Sequence, residues 1–260
     1  MTFSDFWTNK NNPSLDKSVY LYGTKHIIVL ILTVIACIAL TLIFYNKSDK
    51  AKNILFKVNA SILLFFEVST RIVNIIIEEN MTFMRFLEIM LPMHICSVMV
   101  WIFIIAIFSR KQFLINFSVI GGFLATIAFL LYPAVGLNKV YLTFTCIYSI
   151  FSHMLGFITV ILLMTLKRAR FEFKKIWQPF LCFVIMFAWG AICNFLIFPG
   201  SDYMYMINDP LELDLNFPYQ ILYVGVIGVY TCIFYVVNTI IRAVKNKKTK
   251  GEKNQPEKAK

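Results

Sequence analysis

Seven stretches of this chain are apolar for long enough to cross a bilayer. They cover roughly 26–45, 54–77, 92–108, 113–132, 141–166, 176–198 and 217–241. A helix needs about 20 apolar residues to span hydrocarbon. Only a structure that satisfies its own backbone polar groups is stable there, so each run reads as a helix. The fold expected is an all-α polytopic transmembrane bundle of about seven spans. The composition agrees: 59% of the 260 residues are hydrophobic and 15% charged, against about 45–50% and about 25% in soluble domains. That balance excludes a soluble domain, a disordered chain and a coiled coil. Pro92 is expected to open the third, short span at its first helical position, where a proline is tolerated.

Lysine and arginine fix the orientation. Nineteen of the 25 fall in one set of segments: the stretch around Lys47–Lys57, Arg110 and Lys111, the stretch Lys167–Lys175, and the tail from Arg242 to Lys260. Five fall in the other set, and the last, Arg71, is inside a span. By the positive-inside rule the N-terminus is outside and the C-terminus inside. Three regions follow: an extracytoplasmic segment 1–25, a membrane domain 26–241 and a basic, disordered cytoplasmic tail 242–260. The net charge of +11 therefore serves topology and contact between the tail and anionic lipid, not nucleic acid. The six cysteines all fall inside apolar runs with no CxxC pair, which argues against a disulfide framework or structural zinc.

Polar groups inside spans are costly and carry information. Glu67 and Arg71 are four apart in the second span and can pair across one turn, with Asn74 continuing their face. The third span opens Leu91-Pro92-Met93-His94-Ile95-Cys96-Ser97. Residues two apart point to nearly opposite faces of a helix, so His94 and Cys96 are not expected to act as a direct pair. Ser149, Ser152 and His153 lie in the fifth span and Asn194 near the outer end of the sixth. At 1.5 Å per residue, Cys96 lies about 6 Å and His153 about 18 Å below the outer boundary. Most of these groups fall in the outer half, which suggests one outward-opening polar cavity. Glu67 or Tyr148 is the expected partner of His153. His26, at the outer start of the first span, reads as an interfacial residue, and the acids Asp202, Asp209, Glu212 and Asp214 as solvated.

The Leu91-Pro92-Met93-His94-Ile95-Cys96-Ser97 run, Ser152-His153, Asn194, and Asp202-Tyr203-Met204-Tyr205-Met206 before Pro210 resemble the YwaF-like bacterial integral membrane proteins. The resemblance extends from the second span to the last. Animal relatives of that family are multi-span lipid acyltransferases, in which a cysteine and a histidine matching Cys96 and His153 are implicated in moving a fatty acyl chain between phospholipids. The resemblance implies Cys96 as acyl-accepting nucleophile and His153 as its base, acting on phospholipids and lysophospholipids in a bacterial cytoplasmic membrane. Arg71 is then expected to hold a lipid phosphate and Glu67 to orient His153, with Asn74, His94, Ser152 and Asn194 supporting. No phosphate-binding glycine loop, HExxH helix or GxSxG elbow occurs, so neither cofactor nor metal is expected.

The same residues fit a second class, a transporter or permeation path for a small polar or ionic solute, with Glu67 and His153 relaying protons. A seven-helix sensor is a third. Its retinal-binding form is excluded, because the run 217–241 contains no lysine for a Schiff base.

Overall fold

A computed structural model describes residues 3–8, 12–133, 136–208 and 218–253, with side chains described through 241 in the last segment. Ten α-helices occur among the described residues: α1 (Phe3–Thr8), α2 (Lys17–Tyr20), α3 (Thr24–Tyr45), α4 (Asp49–Ile77), α5 (Phe83–Met90), α6 (Ile95–Ser109), α7 (Gln112–Leu131), α8 (Phe144–Thr165), α9 (Trp177–Ile192) and α10 (Tyr219–Lys253). No strand is present among them, only an isolated antiparallel bridge between Ser14 and Lys139. Six helical stretches are each long and apolar enough to cross a membrane: α3, α4, α7, α8, the stretch 173–197 that includes α9, and α10. The pair α5 and α6 passes the same test together, bent by 58° at a short break; taken as one span it is the third of seven in chain order. The chain is a polytopic α-helical bundle.

The break corrects the expected third span. Pro92 does not open a helix. Proline disfavours the helical region for the residue before it and has no N–H to donate. Leu91 is extended (φ −85°, ψ 139°) and ends α5, and the next helix starts only after His94, also extended (φ −90°, ψ 151°). The residues ahead of the break form α5, whose start is capped where the Thr82 hydroxyl accepts from the Arg85 N–H (3.1 Å). Arg85 then holds Glu78 (2.7 Å) and Glu88 (2.5 Å) on this short amphipathic turn.

Burial orders the helices. The apolar windows of α7 and α8 are 61% and 56% buried, whereas those of α3 and α10 are each 17% buried. α7 and α8 therefore form the centre, packed on each other and on α6, while α3 and α10 stand at the rim. The rim helices expose Leu42, Ile31, Val224 and Ile233, as lipid-facing surfaces should. α10 continues to Lys253, so the first part of the tail that the sequence marks as disordered has helical backbone. Residues 254–260 lie outside the described residues, as do Asp209, Glu212 and Asp214.

Glycine sets the closest approach in the centre. A Cβ on Gly122 of α7 would lie 2.3 Å from Cζ of Phe103 on α6, and one on Gly156 of α8 would lie 2.8 Å from Cγ2 of Thr126 and 3.3 Å from Cε2 of Phe103. The Phe103 ring, fully buried, thus fills a slot that exists because two facing helices lack side chains there. A Gly122→Ala substitution is expected to destabilise the bundle by about 1–3 kcal/mol through overpacking. Thermal unfolding in detergent measures this, with Phe103→Leu in the same chain restoring part of the loss; an unchanged midpoint for Gly122→Ala would show that the slot does not set helix spacing.

Candidate functional site

The buried carboxylate of Glu67, late in α4, ties three helices together, α4, α6 and α8. It is 1% exposed. Its Oε1 accepts from Arg71 Nη2, from Ser97 Oγ (3.3 Å) and from Trp101 Nε1 (3.1 Å), and its Oε2 accepts from the Tyr148 hydroxyl. Arg71 also donates through Nη1 to the Ile89 carbonyl of α5 and through Nη2 to Ser97 (3.3 Å), with the Trp101 ring 5.9 Å from its guanidinium carbon. The i,i+4 pair expected from the sequence is present. Arg71 is turned inward onto Glu67, Ser97 and a main-chain carbonyl. Glu67 spends its oxygens on Arg71, Ser97, Trp101 and Tyr148 and does not orient His153. Asn74 is half-buried one turn further along. Trp101 was not among the expected residues, although it stands four residues after Ser97 and so on the same face of α6.

His153 is held by its own helix. Nδ1 lies 2.6 Å from the Ser149 carbonyl oxygen. A carbonyl only accepts, so Nδ1 carries the proton and Nε2 presents a lone pair. The same carbonyl accepts from Ser152 Oγ (3.1 Å). Gly136 closes over this turn: its φ is +95°, and a Cβ there would sit 3.2 Å from Ser149 Cβ. The imidazole stacks on the Phe129 ring of α7, centroids 3.8 Å apart. Its Nε2 is buried and has no hydrogen-bond partner among the described residues.

Cys96 lies in the first turn of α6, with its thiol 3.7 Å from the carbonyl oxygen of Ala125. Ala125 and Phe129 are one turn apart on a single face of α7, about 6 Å along the axis. The Ala125 carbonyl points along the helix toward Phe129, and the Phe129 side chain leans back toward Ala125. Cys96 and His153 therefore both meet the turn of α7 between Ala125 and Phe129. The two side chains are not hydrogen-bonded to each other. The polar groups expected around one outward-opening cavity gather in three groupings: the Glu67 cluster, the α7-facing Cys96 and His153, and a loop clamp around Asn194.

That clamp is exact in its pairing. Asn194 is 1% exposed; its Nδ2 donates to the Tyr203 carbonyl (3.0 Å) and its Oδ1 accepts from the Tyr203 N–H (2.7 Å). A π-helical turn, Cys193–Ile197, aims it at the outer loop. Tyr203 in turn meets His94 edge to face at 5.2 Å, and Trp189 Nε1 donates to the Pro92 carbonyl (2.9 Å). His94 thus meets the loop while Cys96 meets α7. His26 differs from its expected interfacial place. It is 1% exposed, accepts from the Tyr22 N–H (2.9 Å) and donates through Nε2 to Leu130 O (2.7 Å), tying α3 to the end of α7.

Asp202 secures the loop beyond Tyr203. Burial pushes its carboxyl up, but the N–H groups of Ile207 and Asn208 and the Asn208 amide outweigh this and hold it below its ordinary value.

This architecture is that of a multi-pass α-helical membrane protein, with a buried ion pair and a cysteine and a histidine facing one central helix. The chain belongs to the TMEM164 family, whose family model matches residues 21–238. No curated protein and no solved structure matches it.

Two outcomes follow. Glu67→Ala leaves the Arg71 charge uncompensated and is expected to cost about 3–5 kcal/mol, whereas replacing both by methionine costs far less. Thermal unfolding of the two variants separates them, and equal losses would show that the charges are not coupled. Asp202 has a folded-state pKa below its unfolded one, so its contribution is complete above the unfolded value and is lost as pH falls through the folded value. Hydrogen exchange at the Ile207 and Asn208 amides is expected to quicken in that acid window, and at neutral pH in Asp202→Ala; unaltered protection in that variant would remove Asp202 as the anchor.

Proposed function

We propose that this protein is a lipid acyltransferase of a bacterial cytoplasmic membrane, moving a fatty acyl chain between phospholipids through a thioester on Cys96. The observation that carries the proposal is the state of His153. Its proton is fixed on Nδ1 by the Ser149 carbonyl, its Nε2 lone pair is buried and unpartnered, and its ring stacks on Phe129, one turn of α7 from Ala125, whose carbonyl meets the Cys96 thiol. An unpartnered buried acceptor is costly. A base awaiting a proton accounts for it. The resemblance to the YwaF-like proteins and their acyltransferase relatives supports the same pair.

The steps follow from these groups. Cys96 Sγ leaves the Ala125 carbonyl and gives its proton to His153 Nε2. The thiolate attacks the ester carbonyl carbon of a phospholipid, the carbon–oxygen bond breaks, and the departing lysolipid oxygen takes the proton back from Nε2. The acyl group now rides on sulfur. A second lysolipid hydroxyl gives its proton to Nε2 and attacks the thioester, the carbon–sulfur bond breaks, and the thiolate recovers the proton. Ser149 keeps the imidazole in the required tautomer throughout.

A permeation path is less well supported. Glu67, its expected proton carrier, is closed in by Arg71, Ser97, Trp101 and Tyr148.

The test uses purified protein in a bilayer with a labelled phospholipid and an unlabelled lysolipid, followed by mass spectrometry. Cys96→Ala is expected to abolish label transfer and His153→Ala to reduce it by about 10²–10⁴-fold. Undiminished transfer by Cys96→Ala, or no transfer by folded wild type across several lipid classes, overturns the proposal.

A further inference from the structure

A separate polar assembly occupies the opposite end of the bundle. There the start of α4, the end of α6, the start of α7 and the end of α8 surround a cleft of about 50 Å³. Three cations line it, Lys57, Arg110 and Arg168, with Asn53 beside them and Phe56 and Leu163 as apolar walls. Arg168 is anchored from one side only: Nη2 donates to the Asp49 carbonyl and carboxylate, each at 3.1 Å. Its Nε is buried and has no partner among the described residues. Arg110 sits at φ +56°, the left-handed end of α6, where its N–H donates to Ala106 O (2.9 Å). Only glycine takes that conformation without strain, yet here it brings a guanidinium to the cleft.

Lys57 also belongs to a shallow trough open along one face of α4, formed by Ile54, Val58, Ser61, Ile62 and Phe65 of that helix alone. From Ile54 to Phe65 the helix rises about 16 Å, half of a hydrocarbon core about 30 Å thick. The trough is therefore about one leaflet long. It is apolar except for Ser61 and the lysine, and that lysine borders both cleft and trough. By the positive-inside count this is the cytoplasmic end.

We propose that this end of the bundle binds one anionic phospholipid of the cytoplasmic leaflet, with its phosphate between Lys57, Arg110 and Arg168 and one acyl chain along the α4 trough. The cleft suits a phosphate, since guanidinium donors match its oxygens and the free Nε of Arg168 gains a partner. The chain then covers Ile54, Val58, Ile62 and Phe65. The site is independent of Cys96 and His153.

The test places the full chain in bilayer discs of phosphatidylcholine and phosphatidylglycerol in equal parts and counts retained lipid by native mass spectrometry. Wild type is expected to retain one phosphatidylglycerol in preference to phosphatidylcholine. Lys57→Gln and Arg110→Gln, both at exposed side chains and so without a burden on folding, are each expected to weaken retention about fivefold, and Arg168→Gln likewise. Val58→Trp, which blocks the trough, is expected to lower it as well. Equal retention of both lipids, or retention unchanged in all four variants, overturns the proposal. Displacement by inorganic phosphate also overturns it, by assigning the cleft to a free anion.

Discussion

A carboxylate in hydrocarbon must find donors, because the cost of burying an unpaired charge exceeds what any single helix contact returns. Glu67 meets that demand with donors from its own helix, from α6 and from α8, while its partner Arg71 reaches back to the carbonyl of Ile89 in α5. Lipid tails are as apolar as leucine, so packing in the membrane lacks the drive that water supplies and polar contacts fix which helix faces which. This cluster does so for the outer half of the bundle. It sets the rotation of α4, brings the first turn of α6 against it, and holds the start of α8, the segment that carries Ser149 and His153. Asn59, buried lower on α4 and donating to Thr159 of α8, continues the same seam.

The inner half is organised differently. There the small residues Gly122 and Gly156 admit Phe103, and main-chain groups are gathered by amides: Asn116 donates to Arg170 O (2.7 Å) and accepts from Arg170 N (3.0 Å), while Gln112 donates to Arg168 O (3.1 Å). The loop after α8 is thus held to the start of α7, and Arg168 is fixed where it borders the cationic cleft. The two ends of the molecule present opposite chemistry: an imidazole and a thiol toward one, three cations at the other.

The spans were legible in the sequence because hydrocarbon leaves few choices for a long apolar run. Glu67 with Arg71 was legible for the same reason, since a charge in a span must be paired. The partners were not. Nothing in the spacing shows that Tyr148 donates to Glu67 rather than meeting His153, or that the Ser149 carbonyl fixes the imidazole, because those choices depend on how α4 and α8 are rotated together. From sequence Pro92 reads as the start of a helix, because the apolar run begins there. The preceding residues carry Arg85 and Glu88, which mask α5 as a loop until their mutual pairing is seen. Asn194 was visible as a polar residue in a span, but its target, the main chain of Tyr203, leaves no signature in sequence.

The gap between α5 and α6 has a consequence for how the bundle is made. A helix satisfies its own backbone; from Leu91 to His94 only the Leu91 N–H and the His94 carbonyl are taken up by the flanking helices. The Pro92 carbonyl finds its donor in Trp189, a residue of the sixth crossing that leaves the ribosome nearly a hundred residues later. Until that helix arrives, the third crossing has an open main-chain acceptor at membrane depth, and its bend has no lock. Cys96 lies four residues beyond that carbonyl. The bend that precedes the thiol therefore depends on a helix made much later in the chain.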